Sequence, residues 1–300
     1  MANIRAYAGV ARAPFLLLPV TLVAAGAAAA AYDGGFSLTS TLIALVGLVA
    51  LHVSVNSLNE ASDMRTGIDL NTVRTPFSGG SGTLPAGLLD MRSALVLGWA
   101  GLAIGAVIGI WFVTRVGWSL IPILIIGAVA VVAYTDFFAR SGVGEIAAGL
   151  GLGALPILGT ALVQSGVIGP AAIAASIPAF FMTFNLLLLN EFPDEQADRT
   201  GGRRNLVLMT GRSTAAKIYA FAALAVPVSI IAAVLMRVWP LWAFAAVIPS
   251  LILLPKPLQW GFRDPQQPVP IPALGANVIW NLSTNVVIAI ALGVAAMQKF

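Results

Sequence analysis

Two short segments of the sequence share one pattern of asparagine and acidic residues. The segment NEASDMRTGID begins at Asn59, and the segment NEFPDEQAD begins at Asn190. Residues four apart in a helix lie on the same face, so the polar positions of each segment form a stripe of oxygen atoms. The first stripe contains Asn59 and Asp63, and the second contains Asn190, Asp194 and Asp198.

The side chains in these stripes are of the kind that binds a hard divalent cation. Mg²⁺ prefers oxygen ligands, and it usually takes only one or two carboxylates while substrate phosphates and water complete its octahedron. Guanidinium groups match phosphate oxygens bidentately. The arginines close to the stripes in sequence are Arg65, Arg74, Arg199, Arg203 and Arg204. Acids and arginines in this combination predict a diphosphate bridged by Mg²⁺.

A solvated helix end with surface ion pairs is the alternative explanation for one such cluster. Two clusters of matching spacing favour a binding site. A membrane transporter is a further alternative, because acidic residues in membrane proteins often mark ion paths. Transporter sites usually lie near the bilayer midplane, whereas these acids lie at the ends of apolar segments.

The composition predicts an all-α membrane protein. Hydrophobic residues make up 59% of the 300 residues, and charged residues only 9%. About 20 apolar residues cross the hydrocarbon core as a helix, and no alternating pattern of a membrane β-barrel occurs. Nine stretches qualify as transmembrane helices of one domain, 1–300: 14–32, 38–57, 93–114, 117–136, 145–165, 169–190, 214–236, 238–254 and 275–297.

Charge predicts the orientation of these spans. Thirteen of the 16 basic residues fall at the N-terminus or in the connections after even-numbered spans. By the positive-inside rule this face is cytoplasmic, which places the N-terminus inside and the C-terminus outside. Every acidic residue except Asp33 lies on or near the same face. Membrane lipid is the expected surrounding, and no nucleic-acid partner is expected.

Two predicted cytoplasmic loops, 58–92 and 191–213, carry the acidic stripes. The first loop also contains RTPFSGGSGTL, in which Gly79, Gly80 and Gly82 allow backbone conformations closed to other residues. This segment is either a flexible linker or a loop that closes over a substrate.

Other polar residues lie within the predicted spans. The single histidine, His52, cannot build a zinc site alone, and we expect it to hydrogen-bond between helices. The last span has Asn277, Asn281 and Asn285 at four-residue spacing, for which interhelical hydrogen bonding is the commoner use. The chain has no cysteine, which excludes thiolate chemistry.

Four motifs in order resemble the UbiA superfamily of intramembrane prenyltransferases. NEASDMRTGID resembles the N-D-x-x-D pattern, and DEQADRTGGRRNL is similar to the D-x-x-x-D-R-x-x-G-K-R-T-L of the menaquinone-type branch. RAPFLLLP and YTDFFARSGVGE resemble the first-helix and Y-T-x-x-P motifs of the family. Glu60 stands where the family often has Asp, and the segment after Tyr134 lacks the usual prolines, with Arg140 as a candidate replacement for its basic residue.

The resemblance implies nine helices around a central cavity, with the two acidic motifs at its cytoplasmic mouth and a side opening for an isoprenoid tail. The implied metal ligands are Asn59, Asp63, Asn190, Asp194 and Asp198. The implied diphosphate-binding residues are Arg12, Asn59, Arg65, Arg74, Asn190, Arg199 and Arg203. The implied catalytic residues are Asp63, Asp69, Asp194, Asp198 and Tyr134.

Tyr134 has two expected roles, stabilising a cation with its ring face or hydrogen-bonding the diphosphate. An interfacial anchor is the alternative. The resemblance further implies Mg²⁺-dependent transfer of a prenyl group from a polyprenyl diphosphate to an aromatic acceptor, of naphthoate or quinone-precursor type, with release of diphosphate. A terpene cyclase of the same fold would share the ionisation step and need no acceptor. The motifs leave acceptor identity, tail length and oligomeric state open.

Overall fold

The computed structural model describes residues 4–299, and all regular structure in that range is helical. The helices are α1 Ile4–Val10, α2 Leu17–Tyr32, α3 Leu38–Thr66, α4 Ile68–Asn71, α5 Met91–Val116, α6 Ile121–Val132, α7 Ala139–Ser141, α8 Gly144–Gly149, α9 Leu155–Ser165, α10 Pro170–Thr200, α11 Leu206–Thr210, α12 Arg212–Leu235, α13 Ile248–Leu253, α14 Pro255–Arg263 and α15 Ile271–Met297. Three 3₁₀ segments, Ala13–Leu16, Trp118–Leu120 and Leu241–Val247, and two π-helical turns, Tyr134–Phe138 and Leu150–Ala154, join them.

The number of helices agrees with the predicted nine spans. Seven helices in the described range are long and apolar enough to cross a membrane, and the number rises to nine when each of two bent pairs counts as one span. Large apolar side chains such as Val107, Trp118 and Val228 project from the outer surface of the bundle. Such side chains need a hydrocarbon solvent, so the chain is an integral, multi-pass membrane protein.

The fourth span, predicted as one stretch over 117–136, is bent. Its two parts, Trp118–Val132 and Tyr134–Ser141, meet at an angle of 63°. The second part opens with a π-helical turn, and an extra residue in a helical turn redirects the helix axis. The bend directs the segment that follows Tyr134 across the end of the bundle.

The eighth span, predicted over 238–254, is bent at the end of this range. Leu241–Leu253 and Pro255–Arg263 meet at 45°. Pro249 lies at the start of α13, where a missing N–H costs little, so it does not break the span. The break falls immediately before Pro255.

The two acidic segments lie in helices. Helix α3 continues to Thr66 and α10 to Thr200, so the predicted loops 58–92 and 191–213 begin inside helices. This correction has a simple cause: a polar helix end that is packed against other polar groups need not stop where the hydrophobic run stops. Residues four apart in each stripe therefore lie on one face of a helix, as predicted.

Close packing between α3 and α5 depends on glycines of α5. A Cβ added at Gly101 would lie 2.5 Å from the carbonyl oxygen of Ala50, and one at Gly105 would lie 2.5 Å from Leu51. Small residues let transmembrane helices approach at the backbone. The first and last long helices, α2 and α15, also pack together, which closes the bundle.

Polar residues away from the acidic motifs hold helices together, as predicted for Asn277. Its Oδ1 accepts from the Tyr219 hydroxyl at 2.9 Å, and its Nδ2 donates to the carbonyl of Asn185 at 3.0 Å. The same prediction is wrong for Asn281 and Asn285, whose hydrogen bond stays within α15.

Asp33, the one acid predicted on the opposite face, accepts from the backbone N–H of Ala171 at the start of α10. It therefore caps a helix.

Candidate active site

A polar cavity of about 160 Å³ lies between the acidic ends of α3 and α10. Asn59 and Asp63 project from α3, and Asp194 and Asp198 from α10, so the structure brings the two stripes to one cavity. Nine of the predicted site residues line it: Arg12, Asn59, Asp63, Asp69, Tyr134, Asn190, Asp194, Asp198 and Arg203.

Arg203 joins the two stripes. Its Nη2 donates to both carboxylate oxygens of Asp63, at 2.5 and 2.7 Å, and its Nη1 lies 3.5 Å from Oδ1 of Asp198. All three side chains are at most 14% exposed. Burial alone lowers the pKa of Arg203, but Asp63 and Asp198 outweigh burial and raise that pKa above its ordinary value. The guanidinium therefore stays charged and compensates two buried acids.

The remaining hydrogen bonds of the stripes fix their side-chain orientation. Asn59 donates from Nδ2 to Asp63 at 2.7 Å, and its Oδ1 accepts from Thr135 at 3.1 Å. Asn205 donates to Oδ2 of Asp198 at 2.9 Å. These contacts pre-orient the oxygen atoms around the cavity.

The glycine segment, RTPFSGGSGTL at residues 74–84, covers the cavity beside Asp194. Oδ1 of Asp194 accepts from the Thr72 hydroxyl at 2.8 Å, and its Oδ2 accepts from the backbone N–H of Gly79 at 3.1 Å. Gly79 and Gly80 have φ of 84° and 71°, a region that favours glycine. A Cβ at Gly80 would lie 2.4 Å from Asp69. Of the two interpretations of this segment, the placement favours a loop that closes over a substrate and not a flexible linker.

Glu60, which replaces the usual Asp of the family pattern, does not line the cavity. It is fully buried and accepts from Nε of Arg12 at 3.1 Å and from the backbone N–H and hydroxyl of Ser81, each at 2.7 Å. Its longer side chain thus ties the glycine segment to Arg12. Arg12 reaches this position from a left-handed backbone, φ 51° and ψ 53°.

Asp69 lies in α4, beneath the glycine segment, and is 2% exposed. Its Oδ2 accepts no hydrogen bond from the residues described. Burial raises the pKa of Asp69 to about 7; Glu60 and Asp63 add to the rise, and Arg12 and Arg74 offset part of it. The carboxyl is thus poised to change its charge near neutral pH.

Three predicted diphosphate-binding arginines lie outside the cavity lining. Arg65 pairs with Asp136 at 2.9 Å, and Arg199 pairs with Glu195 at 3.1 Å; both arginines are more than half exposed. Arg74, the first residue of the glycine segment, donates to the backbone carbonyl of Asp69, and its side chain lies beside Gly82. In the described arrangement these side chains hold neighbouring elements, and their predicted contact with diphosphate remains a prediction.

Sequence reasoning did not single out several residues of the cavity wall. Thr72 holds Asp194, and Asn56 lines the cavity one helical turn from Asn59. The signal for Asn56 was present in the sequence, because positions three and four apart on α3 share a face. No comparable signal existed for Thr72. The glycine run indicated that Gly79 belongs to a loop, but its contact with Asp194 depends on tertiary packing.

A second, apolar cavity of about 300 Å³ lies deeper in the bundle. It is bounded by α3, α5, α6, α9 and the π-helical turn Leu150–Ala154. Six glycines line it: Gly47, Gly105, Gly109, Gly127, Gly151 and Gly159. At Gly127 a Cβ would meet no atom of the described residues within 4 Å, whereas at the other five it would lie within 3.3 Å of a packed neighbour. His52 and Leu152 line both cavities, so the polar cavity adjoins the apolar cavity at these two residues.

The residues of the polar cavity fit a Mg²⁺ ion that is shared with a phosphate ligand. Their side chains present carboxylate and amide oxygens, the ligand type that Mg²⁺ prefers. Oδ1 of Asp198 accepts no hydrogen bond within residues 4–299. No three acidic or imidazole side chains in that range form a ready-made metal cage.

Comparison with known proteins places this fold and site in context. The family model described as the UbiA prenyltransferase family matches residues 17–282. The 1,4-dihydroxy-2-naphthoate octaprenyltransferase of Bacillus subtilis is 24% identical over 76% of this chain and 72% of its own length. The Escherichia coli protein of the same name is 23% identical over 92% of this chain and 91% of its own length.

A solved structure has the same fold. The structure of a UbiA homolog from Archaeoglobus fulgidus bound to GPP and Mg²⁺ superimposes with a TM-score of 0.69 at 14% sequence identity, covering 98% of each chain. At this identity the similarity establishes the fold.

Removing the charge of Arg203 should destabilise the protein. Arg203→Gln leaves Asp63 and Asp198 buried without compensation, and breaking a buried ion pair from one side typically costs about 3–5 kcal/mol. We expect a fall of several degrees in the thermal unfolding midpoint in detergent without divalent ions. Arg199→Gln is the matched control, because its exposed pair contributes at most about 1 kcal/mol. Equal midpoints for the two variants would contradict a stabilising role for Arg203.

The raised pKa of Asp69 predicts a pH-dependent stability. Between its ordinary pKa of 3.8 and its folded pKa of about 7, the folded chain holds a proton that the unfolded chain has lost. This contribution to stability is complete below about pH 4 and is lost as pH rises through about 7. The unfolding midpoint without divalent ions should fall between pH 5 and 8, and Asp69→Asn should reduce the slope. An exposed control, Asp264→Asn, should keep it; an unchanged slope in Asp69→Asn would refute the assignment.

Proposed function

The chain belongs to the UbiA prenyltransferase family and is a prenyltransferase; on that premise, we propose that it transfers a polyprenyl group from its diphosphate to a naphthoate-type aromatic acceptor with the help of Mg²⁺. The observation that carries this proposal is the convergence of the two acidic stripes and Arg203 on one cavity that adjoins an apolar one. The names of the curated relatives support the acceptor and donor class, and the A. fulgidus structure bound to GPP and Mg²⁺ supports the donor and the metal.

The polar cavity would receive the diphosphate. Arg12 and Arg203 line it and offer guanidinium donors to phosphate oxygens. Asn59, Asp63, Asn190, Asp194 and Asp198 are the proposed metal ligands. When bound, Mg²⁺ supplies positive charge that stabilises the departing diphosphate.

The protein's own residues would lower the barrier by fixed charge and by excluding water. Negative charge accumulates on the diphosphate as the allylic C–O bond breaks, and Arg12 and Arg203, which line the cavity proposed to hold it, would stabilise that charge. The glycine segment, held to Asp194 and Glu60, covers the cavity from outside. Tyr134 presents its ring or hydroxyl from the opposite wall. The allylic C–O bond breaks with its electron pair on the departing diphosphate, and the acceptor ring then forms a C–C bond to the allylic carbon. The attacked ring carbon loses a proton or, where it carries a carboxylate, CO₂, which restores the aromatic ring.

The apolar cavity would hold the isoprenoid tail. Its wall is built almost entirely from aliphatic side chains and glycines, so a hydrocarbon chain loses no hydrogen bonds on entering it. Its position next to the polar cavity lets one molecule place its diphosphate among the charges and its tail among the apolar residues.

The orientation follows the basic residues. The acidic stripes, Arg12 and Arg203 lie at one end of the bundle, and Asp33 with Lys299 at the other. The excess of basic residues supports a cytoplasmic mouth for the polar cavity and an external C-terminus. A soluble donor or acceptor made in the cytoplasm would then reach the site directly.

Diphosphate release tests the proposed reaction. Purified protein in detergent, with geranylgeranyl diphosphate, Mg²⁺ and 1,4-dihydroxy-2-naphthoate, should release diphosphate and form a prenylated naphthalene. Asp63→Asn and Asp194→Asn keep side-chain size but remove charge, and each should lower the rate roughly 100-fold or more. Exposed Asp264→Asn is the control and should retain the wild-type rate.

The same assay separates the alternatives. Release that needs no acceptor and yields a cyclised hydrocarbon would indicate the terpene cyclase. Absence of release with donors of several chain lengths would refute the ionisation mechanism. In that case, flux of a labelled substrate in liposomes would test the transporter.

Filling the apolar cavity should change the preferred tail length. Gly127 on α6 lines this cavity, and a Cβ added there meets no atom of residues 4–299 within 4 Å. Gly127→Phe should therefore fold and should lower the use of geranylgeranyl relative to geranyl diphosphate by roughly 10-fold or more. Val129→Phe adds a ring on the exposed side of the same helix, where Val129 is 47% exposed, and should leave the ratio unchanged. Equal ratios in both variants would show that the tail lies elsewhere.

A further inference from the structure

The two cavities meet at a histidine, His52, that has no role in the reaction proposed above. His52 on α3 and Leu152 in the π-helical turn line both the polar and the apolar cavity. A substrate that extends from one cavity into the other must therefore pass the imidazole ring. The sequence predicted an interhelical hydrogen bond for His52, but the bond that forms is within its own helix.

That bond determines which ring nitrogen remains available. Nδ1 lies 3.0 Å from the carbonyl oxygen of Leu48. A carbonyl has no proton to donate, so Nδ1 carries the proton, and in the neutral ring Nε2 keeps its lone pair. His52 is 5% exposed, and its Nε2 has no hydrogen-bond partner among residues 4–299. A buried acceptor without a partner is unfavourable, so a ligand that brings a hydrogen-bond donor to this atom would be stabilised.

The position of His52 relative to the acids narrows the identity of that ligand. His52, Asn56, Asn59 and Asp63 are spaced by four, three and four residues and all line the polar cavity, so they share one face of α3. Asn56 donates to the carbonyl of Ala11, and Asn59 donates to Asp63. Seven residues of helix place His52 about 10 Å along the axis from Asn59, toward the apolar cavity. That distance leaves room for the reacting end of the donor and for an acceptor ring.

The chemistry of the two substrates identifies which one supplies the hydrogen bond. A prenyl tail has no hydrogen-bond donor, and an ionised diphosphate only accepts. A hydroxylated aromatic ring combines an apolar body, which suits the walls formed by Leu152 and Val55, with an O–H donor for one nitrogen.

We propose that Nε2 of His52 accepts a hydrogen bond from a hydroxyl group of the aromatic acceptor and so positions the ring for attack on the allylic carbon. This inference rests on the proposed function and adds a specificity-determining residue to it. The bond also increases electron density on the oxygen and hence on the ring carbons that attack. The proton stays on the hydroxyl, so the step needs no further reactant.

The test combines variants of His52 with an altered acceptor. His52→Phe keeps a ring but removes the acceptor atom, and His52→Gln keeps an acceptor atom. Each protein is assayed with 1,4-dihydroxy-2-naphthoate and with each of its two monomethyl ethers, in which one hydroxyl cannot donate. Rates are measured as kcat and as KM for acceptor and donor separately.

The wild-type enzyme should use one of the two ethers with kcat/KM lowered roughly 10-fold, the factor expected for one hydrogen bond. His52→Phe should show a similar loss with the dihydroxy acceptor and no further loss with that ether, while the donor KM stays unchanged. His52→Gln should recover part of the discrimination. Val46→Ala, on the exposed side of α3 and outside both cavities, is the control and should discriminate as the wild type does.

Three results would overturn the proposal, and they identify what failed. If His52→Phe discriminates between the acceptor and its ethers as the wild type does, His52 contacts no acceptor hydroxyl. If His52→Phe alters only donor KM, the residue shapes the tail path. If wild type transfers no prenyl group to any of these acceptors, the proposed function itself fails. Should His52→Phe not fold, His52→Gln and the response of the wild type to the ethers decide the question.

Discussion

The ion pairs of Arg203 with Asp63 and Asp198 are the interactions on which the candidate site depends. Asp63 and Arg203 are separated by 140 residues in sequence, yet their atoms meet at 2.5 Å within a bundle surrounded by lipid. Carboxylates buried in such a medium need a compensating charge. The pairs satisfy this need and at the same time join the acidic ends of α3 and α10 around one cavity. Glu60 and Arg12 form a second pair of this kind beneath the glycine segment.

The two cavities impose different demands on neighbouring parts of the bundle. The polar cavity needs charged groups held in fixed positions, and helices α3 and α10 provide them by extending beyond their apolar runs. The apolar cavity needs space, which Gly127 leaves open, and close packing around it, which Gly105 and Gly109 permit. A reaction that separates a diphosphate anion from an allylic cation requires both environments within the length of one substrate molecule. The π-helical turn that carries Leu152 lies where the two meet.

The arginines show how far sequence proximity is informative. Asp63 and Arg65 are two residues apart, which is about 200° around a helix, so they must face opposite directions. The structure places Arg65 against Asp136, outside the cavity. Helical periodicity alone could have separated Arg65 from the stripe. It could not have selected Arg203, which follows the end of α10 and returns toward α3 through a turn that includes Gly201 and Gly202.

The sequence by itself determined the membrane class, the approximate number of spans and the two stripes, because hydrophobic length and four-residue spacing are local properties of a helix. It also contained the motifs of the family. Tertiary structure alone decided which charges line the cavity, that Glu60 holds Arg12 and Ser81, and that His52 bonds within its own helix and leaves Nε2 free. Those outcomes depend on contacts between segments far apart in the chain, and neither composition nor periodicity encodes such contacts.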